Sequence, residues 1–583
     1  MIRKIMILFL GGNQSLKAIS KTFSSMAAVS LVLSYMLAPS AHAETNDATN
    51  HPHGIENQEA VMELIKNRSV ETKMVQQASV DVTPISSEVN YKQQLANNTV
   101  HQYVFTTNGG EFKVTPRHPA ADDLEYDIVD FNSTEPIDES ASNTYQLAAG
   151  SYVFVVASFG EQSLDYDYVL NGPFSQVPDT SLPELQVSQP ADDWIRLEKG
   201  SSSTFTVAGT SKAQYLRLYV NDETREEAHE LNANGSFSYD ADLATGDNLV
   251  LLDASIPGGN TITSFYQITL PGVTRIQGKD RYDVSANMSS TLNYWGQNNG
   301  TVVIARGDMF PDALAGGPLA SMEGAPILLT RTAALPDSVK NTIANLGAER
   351  AIILGGTGSV SANVEDELAE LGVTEIERIG GADRFVVAAG VAEAVSEYSE
   401  ADTAIIASGL VFPDALSASG IAGLEGMPIL PVRSDRIPDP IQTFIKNHPE
   451  IEAFIVVGGP STVKESVISQ IRQLRNGAYV ERISGQDRYE VALNVAEFGM
   501  EYFDMNISTL TFARGDVFAD ALSGAPLANY YEAPILLTRT NKLEEKVQAF
   551  LEAYEGETDH MLIFGGEGSV SKSTEKQLYD LIP

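Results

Sequence analysis

The sequence predicts a multidomain protein: two β-sandwich domains followed by three tandem α/β modules, each built on a parallel sheet. Three observations carry this expectation. Between Tyr91 and Leu252 short runs alternate apolar and polar residues with period two, separated by Gly and Asn turns. From Val273 the texture changes to short continuous apolar runs that alternate with helical stretches, as strands do when helices cover both sheet faces. This second texture is then written three times, at a period of about 104 residues.

The ends and the composition bound the class. Arg3, Lys4, Lys17 and Lys21 precede an apolar run from Met26 to Leu37, and Ala41-His42-Ala43 closes it with small residues. Residues 1–43 therefore read as a secretory signal peptide, the run being too short to anchor the chain in a bilayer. Residues 44–90 are polar, apart from a short helical patch near Val61 and Leu64, and read as a partly disordered spacer. The chain has no cysteine, so an exported product must rely on large cores rather than disulfides. The net charge is −39, and cleavage would remove four basic and no acidic side chains. Such a surface repels nucleic acid and anionic lipid, so neither nucleic acid nor a membrane is expected as a partner after cleavage.

Residues 91–172 form the first predicted sandwich, with strands at His101–Phe105, Glu111–Val114, Tyr145–Val156 and Tyr166–Leu170. Its passage L-A-A-G-S-Y-V-F-V-V, followed by D-Y-D-Y-V-L, resembles the bacterial pre-peptidase C-terminal domain. A proline-containing linker leads to the second, 183–272, where Thr204–Val207, Tyr215–Val220, the Asn234-Gly235 turn and Asn248–Leu252 suggest a sandwich that looks immunoglobulin-like.

The repeats are predicted at 273–375, 376–479 and 480–583. R-I-Q-G-K-D-R-Y from Arg275 to Tyr282 returns at Arg378–Phe385 and Arg482–Tyr489. M-F-P-D-A-L from Met309 returns at Val411 and Val517, and A-P-I-L-L-T-R from Ala325 at Met427 and Ala533. Each copy is predicted to open with its R-I strand and to run strand-helix four times, one strand ending at Gly355-Gly356, Gly458-Gly459 and Gly565-Gly566. In F-P-D-A-L the proline suits a first helical turn and Asp312, Asp414 or Asp520 sits where a helix N-terminus favours negative charge. The tripeptide Arg306-Gly307-Asp308 invites an adhesion reading. The second copy has Ser408-Gly409-Leu410 in its place, so the tripeptide is read as a strand-to-helix loop and not as a receptor ligand.

These blocks resemble the cell-wall-binding repeat type 2 family of Gram-positive bacteria over Val273 to Pro583. The resemblance implies three Rossmann- or Toprim-like modules around a pseudo-threefold axis, attached noncovalently to an anionic wall polymer, teichoic-acid-like or an acidic polysaccharide. Departures are Phe385 for tyrosine, Ala519 for proline, and Pro431-Val432 for Leu-Thr, the last placing the second module's binding in question.

The repeat block is itself acidic, yet its arginines recur: Arg275, Arg378, Arg482; Arg281, Arg384, Arg488; Arg331, Arg433, Arg539; and Arg306 with Arg514. Guanidinium suits fixed, bidentate contact with phosphate or carboxylate, and three modules multiply a weak contact. The polymer-binding candidates are accordingly Arg281, Arg331, Arg384, Arg433, Arg488, Arg539, Arg306 and Arg514. The competing reading makes them internal ion pairs, Asp280, Asp383 and Asp487 holding the adjacent arginines and Asp312 holding Arg331. These aspartates, Asp414, Asp520 and the paired glycines form the structural motif. G-T-G-S-V-S at Gly356 and G-E-G-S-V-S at Gly566 approach a dinucleotide fingerprint, but serine replaces the last glycine and Pro460 breaks the middle copy. The chain shows no H-E-x-x-H, G-x-S-x-G or P-loop lysine. No catalytic residue, metal ligand or cofactor is therefore expected. The expected function is a non-catalytic surface anchor; the alternatives are an accessory to a wall hydrolase such as an amidase, and an adhesin or protease-associated module working through the sandwiches.

Overall fold

A computed structural model describes residues 85–583 apart from 97, 118–123, 132–136, 138, 142, 159–162, 222, 225–230, 232–233, 295–298 and 504. The predicted signal peptide and the spacer up to residue 84 lie outside the described residues. By internal contacts the chain divides between Leu270 and Pro271.

In the N-terminal unit the first strand, Ile85–Leu95, begins inside the predicted spacer. It pairs antiparallel with Leu164–Phe174, which pairs with Thr99–Pro116, which in turn pairs with Thr144–Ser158. Period-two alternation turns Tyr91, Tyr103, Phe105, Phe112, Phe154 and Tyr168 into one buried aromatic core. A three-stranded sheet of Leu185–Gln189, Thr204–Ser211 and Ser236–Asp242 shares a second core with Tyr215–Val220, Gly246–Ser255 and Thr261–Leu270.

The two strand-rich regions are not separated by a free linker as the sequence suggested. Thr261–Ser264 pairs with Thr99–Gln102, fusing both regions into one eleven-stranded sheet. The apolar run at 152–157 explains the seam. Tyr152, Phe154 and Val156 face the aromatic core, while Val153, Val155 and Ala157 pack with Tyr219, Leu251 and Phe265.

The C-terminal unit holds three four-stranded parallel sheets. The first has the order Ile327–Thr330, Thr301–Arg306, Arg350–Leu354, Glu375–Ile379. The second repeats it with Ile429–Val432, Thr403–Ser408, Ala453–Val457 and Tyr479–Ile483. The third has Ile535–Thr538, Thr509–Arg514, His560–Phe564 and, at its edge, Gly272–Ile276.

This revises the expected phase of the modules. Each R-I strand completes the sheet of the preceding repeat, and the first of them, Gly272–Ile276, completes the third. The repeats thus close a ring. A periodic sequence fixes the length of a unit but not where it begins, and the mixed burial of E-I-E-R-I, against the interior strand A-F-I-V-V, buried in all but its first residue, is the edge-strand signal.

At the ring centre the helices Gly316–Met322, Pro413–Leu424 and Ala519–Tyr530 pack on one another. Equivalent small residues meet there: a Cβ on Gly317 would lie 3.2 Å from that of Ser419 and 3.3 Å from that of Ala525. One turn on, Asn529 Nδ2 donates to Ser321 Oγ, and Gly423 leaves the space its amide fills. The first copy departs from expectation, since residues 311–315 form turns and its helix starts only at Gly316. Among the described residues no helix is long and apolar enough to cross a membrane.

Candidate functional site

Asp383 and Asp487 are the N-caps of the helices Arg384–Tyr398 and Arg488–Tyr502. Each accepts from the amides two and three residues on, at 2.9 and 3.1 Å for Asp383 and 3.0 and 3.1 Å for Asp487. Asp280 does the same at 2.9 and 3.1 Å for the helix Arg281–Tyr294. The ion-pair reading of the D-R dipeptides is therefore corrected. The aspartate satisfies orphan backbone donors at a helix start, and the arginine points elsewhere.

It points to a carbonyl of its own repeat and to a phenyl ring of the neighbouring one. Arg281, Arg384 and Arg488 each donate through Nη1 to a carbonyl, of Gly307, Gly409 and Gly515, at 2.7, 2.7 and 2.6 Å. Their guanidiniums lie 5.5, 5.8 and 5.8 Å from the ring centres of Phe518, Phe310 and Phe412, in each case the phenylalanine of the preceding repeat around the ring. Those three rings meet edge to face on the axis at 5.6, 5.7 and 5.9 Å.

Two residues past each phenylalanine stands Asp312, Asp414 or Asp520. Ser359 donates to Asp312, and Ser569 Oγ to Asp520 at 2.7 Å; Asp312 makes no ion pair with Arg331. Burial pushes Asp414 and Asp520 above the ordinary carboxyl range, although the hydroxyls of Thr462 and Ser569 and the neighbouring Arg488 and Arg281 act in the opposite direction. Gly355, Gly458 and Gly565 have φ of +112, +116 and +105°, and a Cβ at any of them would press on the aspartate. Gly356, Gly459 and Gly566 sit further along, beside the carbonyls of Gly381, Gly485 and Gly278 of the next repeat, with 3.3, 3.9 and 3.8 Å to a notional Cβ. Arg275, Arg378 and Arg482 clamp each shared strand: they donate to Gly565, Gly355 and Gly458 carbonyls and pair with Glu575, Glu365 and Glu465.

The remaining candidates lie at or just past strand ends, where parallel sheets place ligands. Arg331, Arg433 and Arg539 rest on Tyr282, Phe385 and Tyr489 at 5.0, 4.9 and 4.7 Å. Arg331 and Arg539 are exposed and Arg433 is half-buried. Arg539 also pairs with Glu544; among the described residues no carboxylate lies within ion-pair distance of Arg331 or Arg433. Pro431-Val432 leaves the Arg433 stack intact, because both residues stay buried within the strand. Arg306 grips Asp308 with two nitrogens, and Arg514 grips Asp516 likewise, so the tripeptide is folded onto itself.

Sequence reasoning missed one feature. In the third module an open, solvent-facing depression of about 350 Å³ is lined by Tyr489, Asp516, Arg539, Thr540, Asn541 and Lys542. The signal available was a lysine three residues beyond a repeated arginine. Burial raises the Tyr489 phenol although Arg539 and Arg488 pull it down, so its hydroxyl stays neutral.

His448, in the second module, sits between two carboxylates, Nδ1 2.6 Å from Glu450 and Nε2 2.7 Å from Glu393, and stacks on Phe444. Burial opposes its charge, but the two glutamates outweigh that and raise its pKa. A raised pKa stabilises the fold fully below the unfolded value and loses that contribution as pH climbs through the folded one. His448→Gln should therefore cost up to about 1 kcal/mol more at pH 5.5 than at pH 9, where only the stacking on Phe444 is lost, as read by urea unfolding at both values.

Fold and site together define a type of architecture: a closed ring of three α/β repeats that turns stacked arginines outward at strand ends. Three stretches, 275–365, 378–468 and 482–575, match cell wall binding domain 2, so the repeat block holds three copies of that domain. The chain is 29% identical over 321 residues to the amidase enhancer of Bacillus subtilis (strain 168), covering 54% of this chain and 42% of that one. It is 28% identical over 306 residues to the N-acetylmuramoyl-L-alanine amidase LytC of the same organism, covering 52% and 58%. The chain thus spans about half the length of the curated relatives it matches. Cwp6 from Clostridium difficile shares the fold, with a TM-score of 0.51 at 20% identity over 69% of this chain and 68% of that one.

Proposed function

We propose that this is a secreted, non-catalytic surface protein that the repeat ring holds noncovalently on an anionic wall polymer, while residues 91–172 and 183–272 form two displayed β-sandwiches, the first pre-peptidase C-terminal-like and the second immunoglobulin-like. The observation that carries the reading is the set of Arg331, Arg433 and Arg539, each held on an aromatic ring at an equivalent strand end. A ring face fixes the guanidinium without neutralising it, leaving for phosphate or carboxylate the N–H groups of Arg331 and Arg433 and those of Arg539 that Glu544 does not take. Arg281, Arg384 and Arg488 serve chiefly to join modules; Arg306 and Arg514, already paired, contribute less. Three sites on one ring compensate for the acidity of the whole chain through multivalency.

Purified Gram-positive walls, before and after extraction of their acidic polymer, test this. The full chain should sediment with intact walls and stay in solution with extracted ones; equal sedimentation with both would refute the polymer as ligand. A second reading, accessory to an amidase, is supported by the names of the two relatives. It predicts that adding the chain speeds wall lysis by an amidase bearing the same repeats, measured as loss of turbidity.

A further inference from the structure

The three strand-end sites are not alike, and the differences point to one that reads more than charge. Two and three residues past the repeated arginine the first module has Ala333-Ala334, the second Asp435-Arg436 and the third Asn541-Lys542. The first offers no side-chain donor there. In the second, Asp435 adds a negative charge and engages Arg436, while Phe385 lacks the hydroxyl that Tyr489 carries. In the third, both residues are exposed and line the 350 Å³ depression beside Arg539 and Tyr489. Among the described residues Lys542 has no carboxylate within ion-pair distance, whereas Arg539 and Asp516 are engaged with Glu544 and Arg514.

We propose that the third module's depression is the principal polymer-reading site and takes one acidic sugar or polyol-phosphate unit. The Lys542 ammonium meets the acid, and the Asn541 amide, the Thr540 hydroxyl and the Tyr489 phenol face the hydroxyls beside it. Its volume is at the small end of the roughly 300–1,000 Å³ usual for ligand pockets, suited to a single unit of a chain that continues outside. Lone cations attract any polyanion; a cation next to an amide and hydroxyls discriminates, because a polymer without matching hydroxyls leaves those groups unpaired. This inference rests on the anchor reading above.

The test compares half-saturation on purified walls for the full chain and its variants. Asn541→Ala with Lys542→Ala, both exposed, should raise it about tenfold, the loss of roughly one good polar contact pair, whereas Arg331→Ala should raise it no more than about threefold. Placing Ala333→Asn and Ala334→Lys in the first module should tighten retention. Glycerol 3-phosphate and glucuronate, as soluble competitors, separate the two sources of acid: displacement of the parent chain by either at millimolar concentration supports the site and names its acid. Displacement by neither, or equal losses from the first-module and third-module variants, overturns the proposal. If the parent itself fails to sediment, it is the anchor reading that falls; if the parent sediments and the double variant matches it, only this inference falls.

Discussion

Replacing Arg331, Arg433 and Arg539 together with alanine should weaken wall retention by about a hundredfold or more, while each single replacement costs tenfold or less. The disproportion follows from the ring. Three weak contacts on one rigid body act in parallel, so losing one leaves two to hold the chain near the polymer, and losing all three leaves only the polar groups beside position 539 to rebind. Fold stability should change little, because these guanidiniums lie on aromatic rings at strand ends rather than in the packed centre. Surface substitutions of this sort usually stay within about 0.5 kcal/mol. Sedimentation with walls and thermal unfolding, run on the same preparations, separate the two effects. Unchanged retention in the triple variant would show that the polymer is gripped elsewhere.

Gly458→Ala should cost the repeat ring about 3 kcal/mol of stability. Two costs add. The residue has φ of +116°, which a side chain adopts at about 1 kcal/mol or more. Its new Cβ would also press on the buried Asp414 carboxyl and the Thr462 hydroxyl, displacing a polar group with little room to move. Gly459→Ala provides the control, since a Cβ there meets only the Gly485 carbonyl at 3.9 Å and should cost less than about 1 kcal/mol. Denaturant unfolding of both variants checks the contrast; equal losses would mean that Asp414 is not the constraint on this turn.

These two sites show what the sequence carried and what it could not. The repeat period, the parallel strands and the paired glycines were legible because each has a local signature: a recurring motif, an apolar run, a turn glycine. The ring closure was not, since Gly272–Ile276 and His560–Phe564 pair across nearly the whole repeat block and no local pattern links them. His560 illustrates the point. Fully buried, its pKa pushed down to about 4, it meets Thr274 of the closing strand at 3.0 Å, a contact no spacing rule anticipates. Arg281 and Arg331 have the same residue type at equally regular positions, yet one joins modules and the other faces outward. Only the partner ring, Phe518 of the neighbour or Tyr282 of the same module, tells them apart.

The most direct measurement is the binding isotherm of the full chain on intact walls across rising salt. Retention by guanidinium on a polyanion predicts that half-saturation climbs steadily with ionic strength, as screening shortens the reach of each exposed charge. An isotherm indifferent to salt, or one that tightens, would contradict an electrostatic grip by these arginines.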